Sequence, residues 1–538
     1  MYFYKKNKMQ NDWISYQESG YFSKLITAYL DQQSDVKSLY HRFPTLENFK
    51  TQLEEKAVTF NSNTRSVLVN ELEKQYKETV TSTATANHIS LLKETHTFTI
   101  TTGHQLNLFT GPVYFIYKIV STLNLCKQLQ EKYPAYHFVP VYWMATEDHD
   151  FEEINHFKAQ ENSFTWQKHA AGAVGELSTE GLEEVADQFI ASLNQSEAAV
   201  YLQKLFSQSY LSHNNLADAT RFLVNELFKE HGLIIIDGNA PGLKKLFTPY
   251  LLQELNHQTT YKEVSQTNLQ LSKYNVQVNP REINLFYLQK GLRERIIFED
   301  NCYKVHQTTI QFSPEALKKE VENFPEHFSP NVLLRPLYQE VILPNLAYVG
   351  GGGELAYWLQ LKTNFNAFKV CFPILVLRNS VLLVSEKQAE KIKKLELHLA
   401  DLFAPQQQLL NDITKRVSQH NIDFSVQKQH LETQFKQLYE IANQTDKSFI
   451  GAVKAQEIKQ IKGLENLEKR LLKAEKRKHE ELLQQVERLQ NELFPNQSLQ
   501  ERQLNFSQFY MNYGQDFIDQ LFQKLNPLAQ NFNVITLP

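Results

Sequence analysis

FTITTGHQLNLFTGPVYFIYK, residues 98–118, decides the fold. It opens with five residues dominated by β-branched and aromatic side chains, the composition of a strand buried on both faces. A loop carrying Gly103, His104, Gln105, Thr110 and Gly111 follows. The chain then enters a helix near Pro112, where proline's fixed φ is tolerated at the first helical position and Thr110 or Gly111 can cap. Ile116, Ile119, Leu123 and Cys126 share one face of that helix. A second apolar run, FVPVYWMA at 138–145, comes next. Strand, helix and strand in this order require a parallel pair joined by a crossover.

The alternation continues outward. LIIID at 233–237 is a third strand, and PGLKKLFTPYLLQEL follows it as a helix; PNLAYV at 344–349, a helix through LAYWLQLK, and FPILVLRN at 372–379 resume the pattern. The fold class is therefore α/β, an open parallel sheet. Two stretches interrupt it, at about 150–220 and 257–330. In the second, INLFYLQ, RERIIFED, CYKVHQ and TIQF read as a small antiparallel meander. Residues 1–90 are mostly helical and pack on the core, which spans 91–385.

From 386 to 500 the chain is an α-helical arm rich in Glu, Lys, Gln and Leu. Leu464, Leu467, Leu471 and Ala474 alternate at spacings of three and four, and Leu482, Val486, Leu489 and Leu493 resume that pattern after a slip. This predicts an imperfect coiled coil ended by Pro495. An antiparallel hairpin in the arm would return 501–538 to the core.

The 538 residues carry a formal charge of −4, so no long-range field draws in nucleic acid or an anionic membrane. Three scattered cysteines form neither a disulfide framework nor a thiolate zinc cluster. No run reaches the ~18 apolar residues of a membrane span. These features predict a cytoplasmic protein with small-molecule substrates.

In open parallel sheets ligands bind beyond the carboxyl ends of the strands. The loop after the first strand offers free N–H groups at a helix start, with Lys118 as counter-charge, as a cradle for an anion; a plain tight turn explains it equally well. After the second strand Glu147, Asp148, His149 and Asp150 crowd together, although repulsion opposes such crowding. They can bind magnesium, hold an amine or shuttle protons; no zinc signature is present. Asp237, after the third strand, is an amine or hydroxyl ligand, or a turn residue. In YVGGGGELAYW, Gly351, Gly353 and Ala356 satisfy the dinucleotide pattern GxGxxA, with Gly352 between them, but Glu354 would face a pyrophosphate and no ribose-binding acid follows at the usual spacing. Arg335, Arg378 and Ser380 lie near the same edge, where the arginines can clamp a carboxylate or phosphate or make structural ion pairs.

TGHQLNLFTGPVYFIYK, VPVYWMATEDHDFEEINH, LLRPLYQEVILPNLAYVGGGGELAYWLQLK and FPILVLRNS, in this order and followed by a coiled coil and LQERQLNF, resemble the bacillithiol biosynthesis cysteine-adding enzymes. The resemblance covers the chain from about residue 90 onward. It implies a ligase that joins L-cysteine to the amino group of glucosaminyl-malate in the last step of bacillithiol synthesis. It also implies a Rossmann-like core with connecting-peptide insertions, similar to class I aminoacyl-tRNA synthetases and nucleotidylyltransferases, and a homodimer through the coiled coil. The first loop occupies the place of the synthetase HIGH signature without its paired histidines, and FPILVLRNS that of KMSKS without its lysines. These departures set the chain apart from conventional adenylate chemistry. Carboxyl activation points to ATP or another nucleotide, with Asp148, His149 and Asp237 as candidates to hold the amine or take its proton. Two other readings remain: a nicotinamide-dependent oxidoreductase resting on GxGxxA, and a non-catalytic coiled-coil scaffold.

Overall fold

The computed structural model describes residues 13–159 and 162–538. The chain forms two compact units, one of residues 13–17, 21–382 and 501–538, the other of 18–20 and 383–500.

The first unit is built on a five-stranded sheet whose elements are numbered along the chain: β1 (Thr97–His104), α1 (Tyr114–Lys132), β2 (His137–Met144), β3 (Ile234–Asp237), α2 (Pro241–His257), α3 (Arg335–Ile342), β4 (Asn345–Gly350), α4 (Gly352–Trp358) and β5 (Ile374–Leu377). The strands lie in the order β3-β2-β1-β4-β5 and all are parallel. Thr97 pairs with His137 and the register runs unbroken to His104 opposite Met144. Strand order reverses between β1 and β4, so the crevice beyond their carboxyl ends is the topological switch point of a doubly wound sheet.

Every residue of β1 is buried, so its threonine hydroxyls need partners inside the sheet. Thr99 and Thr101 donate to the side-chain oxygen of Asn345 at 3.2 and 2.8 Å, and Thr102 to the Val349 carbonyl at 2.7 Å. The Asn345 amide donates to Glu340 at 2.6 Å, and Glu340 in turn pairs with Lys56 at 3.1 Å. Lys56 belongs to the helix Leu46–Thr59, whose Phe49 and Leu53 enter the same core cluster as Phe98, Ile100, Val349 and Ile374. The N-terminal segment therefore contributes both apolar contacts and the counter-ion of a buried carboxylate.

The first interruption contains the paired strands His156–Ala159 and Asn162–Thr165 and the helices Leu182–Ser192, Glu197–Tyr210 and Leu216–Phe228. The second contains a five-stranded antiparallel sheet: Gln311–Phe312, Cys302–Val305, Leu292–Glu299, Leu285–Gln289 and Phe328–Pro330, in that spatial order.

The start of α1 departs from the sequence expectation. Neither Thr110 nor Gly111 caps it; the helix begins at Tyr114 with Val113 before it. The residues Phe109, Thr110 and Gly111 all take positive φ, of 48°, 69° and 62°, and a Cβ on Gly111 would meet that of Asn107 at 2.6 Å. The C-terminal segment fills the turn from outside: the Val113 N–H donates to the Leu504 carbonyl at 2.7 Å, and Asn505 donates to the carbonyls of Phe109 and Gly111. Phe109 sits among Phe157, Phe189, Phe206 and Phe506 with ring centroids 5.1 to 5.5 Å away.

In the second unit, helices Ser425–Asn443 and Lys447–Lys478 form a hairpin closed by Phe435, Ala442 and Val453 and by a 2.6 Å Lys428–Glu468 ion pair. The slip in the leucine spacing is a helix break: the long helix is capped at His479 and a new one runs Glu480–Leu493. The break shifts the buried position from Leu482 to Leu483, with Val486, Leu489 and Leu493 buried as well. Leu467 is 53% exposed and Phe449 45%. No helix among the described residues is long and apolar enough to cross a membrane.

Candidate functional site

A cavity of about 590 Å³ opens at the switch point, within the range of small-molecule sites. The ends of β1 and β2 and the residues after them bring in Gly103, His104, Gln105, Glu147, Asp148 and His149; α1 brings Lys118; the start of α3 brings Arg335, the turn from β4 into α4 brings Gly351, Gly353 and Glu354, and the residue after β5 is Arg378. These are the sequence candidates that the fold gathers around one space.

One side is basic. The Arg335 guanidinium lies over the rings of Trp143 and Tyr348, 5.7 and 5.6 Å from their centroids. One of its terminal nitrogens donates to Gln339 at 3.0 Å, while Nη2 is buried without a partner. Arg378 is held by Glu501 through two bonds of 3.2 and 2.7 Å, lies over Tyr114, and keeps a buried, unpartnered Nε. Lys118 is not a free counter-charge. It pairs with Glu354 at 2.6 Å and donates to the Gly103 carbonyl at 2.7 Å. Glu354 also accepts from the Gly351 N–H at 2.8 Å and the Tyr348 hydroxyl at 2.7 Å. Burial works to raise its carboxyl, but Lys118 and these donors hold it below the ordinary value. Gly103 has a steric reason to be glycine: a Cβ there would lie 3.1 Å from the Tyr348 hydroxyl.

The other side is acidic at its edge. Glu147 is paired with the buried Lys244, which also donates to the Phe328 carbonyl at 2.7 Å. Asp148 accepts from Gln105 at 3.0 Å and from the His149 N–H at 2.8 Å. Burial opposes its ionised form, yet His149, Gln105 and Arg293 hold the carboxyl far below the usual range. Arg293 comes from the inserted sheet, stacks 3.9 Å from the Phe286 centroid, and reaches His149 Nδ1 at 2.6 Å.

Six candidates do not line the cavity. Thr110 and Gly111 are buried in the turn that the C-terminal segment fills, which removes the expected anion cradle at that helix start. Asp237 is a turn residue: its carboxylate accepts from the Thr146 hydroxyl and, at 2.8 Å, from the Asn239 N–H. Gly352 faces Phe22 and Ile26, Ser380 stands behind Arg378 as its hydrogen-bond acceptor, and Asp150 is exposed outside the cavity. The glycine run makes no pyrophosphate cradle either, because Glu354 occupies the N–H group at its start.

Sequence reasoning missed Arg281 and Arg293, which lie in the second interruption and reach the cavity only through its folding, and Arg502, which arrives with the returning C-terminus. It also missed the aromatic walls Tyr114, Trp143 and Tyr348, whose period reads simply as core. Arg502 alone had a signal, its place in the block LQERQLNF.

The acidic loop does not converge as a metal site. Among the described residues the one cluster of three ligand-type groups is His41, Glu55 and Cys371, outside the cavity. There Arg42 already lies 2.6 Å from the Glu55 carboxylate, and the Cys371 thiol is pushed up to about 11, chiefly by burial.

A doubly wound α/β sheet with a two-sided ionic cavity at its switch point defines the class: a protein with a Rossmann-like core. Within that class, residues 9–379 match the family described as bacillithiol biosynthesis BshC, N-terminal Rossmann-like domain, and residues 381–537 the corresponding C-terminal coiled-coil domain. The chain belongs to this family. Relatives named "Putative cysteine ligase BshC" include one from Flavobacterium johnsoniae, 59% identical over 98% of this chain and 100% of its own. Others come from Cytophaga hutchinsonii, 39% identical over 97% and 98%, and Bacillus cereus strain AH187, 28% over 93% and 95%.

Proposed function

We propose that this protein is a cysteine ligase of bacillithiol biosynthesis, forming the amide bond between the carboxyl of L-cysteine and the amino group of glucosaminyl-malate as the last step. Membership of the family and the names of its relatives support the ligase activity. The observation that carries the substrate reading is the polarity of the cavity: Arg335 Nη2 and Arg378 Nε are buried donors without partners, while Asp148 stands ionised at the opposite edge. A buried donor left unpaired costs about 1–3 kcal/mol, so a ligand that supplies an anion to these two arginines gains that much at each. The two carboxylates of a malyl group, or the phosphates of a nucleotide, have the chemistry required.

Amide formation in water needs an activated carboxyl, and ATP or another nucleotide is the co-substrate that would supply the activation. The orphaned arginine donors fit its phosphates. In this reading Arg335 and Arg378 orient the anionic groups, Asp148 receives the incoming amine, and the walls of Trp143, Tyr114 and Tyr348 exclude water from the reacting carbonyl.

Incubating the purified protein with cysteine, glucosaminyl-malate and ATP and following bacillithiol by mass spectrometry tests the proposal. Absence of product together with binding of neither substrate would sink it. The protein would act in the cytoplasm as a homodimer, a state supported by the exposed Phe449 and Leu467 on the long hairpin helix. Sedimentation of the wild type as a dimer and of a Phe449→Glu/Leu467→Glu variant as a monomer is expected; a monomeric wild type would refute the dimer.

A further inference from the structure

Glu147 stands three residues beyond β2 and presents a carboxylate to the cavity. The loop that carries it is fixed on both sides: the Thr146 carbonyl accepts from the Gly175 N–H at 2.8 Å, and the Asp148 N–H donates to the Ala145 carbonyl at 3.2 Å. One carboxylate oxygen, Oε1, is taken by Lys244. Lys244 is wholly buried on α2 and is itself tied to the inserted sheet through the Phe328 carbonyl at 2.7 Å. A carboxylate has two oxygens and about four lone-pair sites, and no hydrogen bond from the described residues reaches Oε2. The nearby Arg293 gives its bonds to His149 and Ser329 instead.

A stack of rings relates this acid to the basic side. The Lys244 ammonium lies over Tyr338, 5.8 Å from its centroid, Tyr338 meets Trp143 edge-on at 5.5 Å, and the Arg335 guanidinium lies over Trp143. Tyr338 and Arg335 stand one turn apart on α3. Two buried rings therefore set the partner of Glu147 and the guanidinium with the unpartnered Nη2 in one fixed arrangement. An acid and a cation held in one wall match a ligand that carries ammonium and carboxylate on one small frame, which is the chemistry of an α-amino acid. We infer that Glu147 Oε2 receives the α-ammonium of L-cysteine, with the cysteine carboxyl turned toward Arg335, an assignment that rests on the ligase reading.

Depth separates this position from that of the acceptor amine. The side chain of Glu147 is 11% exposed and that of Asp148 28%, so the smaller substrate takes the deeper acid and the amino sugar meets Asp148 at the edge. Reading the ammonium also solves a problem of choice. Glucosaminyl-malate brings two carboxylates beside the one of cysteine, and only the last is to be activated. An ammonium one carbon from the carboxyl marks the amino acid, and neither malyl carboxylate has one. A metal ion suits the position less well, since Glu147 belongs to no convergent group of metal ligands among the described residues, and the neighbouring Asp148 is engaged by Gln105 and the His149 N–H.

The test compares wild type, Glu147→Gln and Glu147→Asp under ligase conditions, with 3-mercaptopropionate, which is cysteine without its amino group, as a competitor of cysteine. In Glu147→Gln, KM for cysteine is expected to rise about 10- to 100-fold, the value of one charge-assisted hydrogen bond. The inhibition constant of 3-mercaptopropionate and KM for glucosaminyl-malate should keep their wild-type values. A carboxylate with a purely structural role would instead weaken cysteine and its competitor together. Glu147→Asp keeps a counter-ion for Lys244 and so guards against misfolding of the glutamine variant; its shorter side chain should show the same split in smaller measure. An unchanged KM for cysteine, or equal losses for cysteine and 3-mercaptopropionate, would overturn the assignment while leaving the ligase reading standing. A wild type that makes no product would remove both.

Discussion

Replacing Lys118 with Met tests the electrostatics at the centre of the site. In the wild type the Lys118 ammonium, 3% exposed, lies 2.6 Å from the Glu354 carboxylate, 24% exposed. Taking one partner from a buried ion pair leaves an uncompensated charge and costs about 3–5 kcal/mol. Glu354 keeps the Gly351 N–H and the Tyr348 hydroxyl as donors and some contact with water, so the lower end, ~3 kcal/mol, is expected near pH 8. The sign of the pH dependence discriminates this account from simple loss of packing. Wild-type Glu354 is held below its unfolded value, so its contribution is present above the unfolded value and is lost as pH falls through the folded one. Without Lys118, burial dominates and the folded value rises above the unfolded one. The folded state then binds the extra proton, and the variant regains stability as pH falls from 8 toward 5. Urea unfolding midpoints of both proteins between pH 5 and 8 measure this. The deficit should shrink toward pH 5, and Lys118→Met/Glu354→Leu should recover much of it at pH 8. A deficit constant across the range, or one that grows in acid, would refute the reasoning.

Arg335→Lys replaces the stacked fork by a point charge that cannot place a second donor at the Nη2 position. Losing one charge-assisted bond of ~1.5–3 kcal/mol should raise KM for the anionic substrate about 10- to 100-fold, measured by initial rates, with the melting midpoint almost unmoved. Lys56→Met should lower stability by about 3–5 kcal/mol in urea unfolding, because Glu340 would lose its cation in full burial. Its carboxyl is already raised by burial, so the penalty should again ease toward acid pH.

The sheet was legible because its strands are short apolar runs separated by crossovers, and such runs announce their own burial. FTITT belonged with them despite three threonines, since Asn345 and Val349 receive those hydroxyls. Strand order was not legible, because it depends on pairing between residues more than 200 positions apart, such as Thr101 with Tyr348. The same distance explains the site. Gln105, Asp148 and Arg335 could be named from their places after strands or beside them. Arg293 could not, for its route to His149 requires the inserted sheet to bring it to the loop after β2. Thr110 and Asp237 show the opposite error. Both stand where ligands bind in such sheets, but local hydrogen bonding had already claimed the main chain around one and the carboxylate of the other.

The returning C-terminus ties these observations together. Glu501 fixes Arg378 from behind with two bonds and accepts the Val381 N–H at 3.1 Å. Asn505 holds the carbonyls of Phe109 and Gly111, on either side of Thr110 in the turn that follows β1. Both walls of the cavity thus depend on a segment that lies beyond the whole helical arm in sequence. The chain leaves the sheet unit after Leu382 and re-enters it at Glu501, and the Glu501 carboxylate bonds to Arg378 and Val381, just before the point of departure. For an excursion that begins and ends at one clasp, the entropic cost of closing the loop rises only slowly with its length, by about 0.6 kcal/mol for each doubling. The arm can therefore be long without loosening the site, provided the clasp holds, and the residues for which a fixed position matters are Glu501 and Asn505 rather than the leucines between.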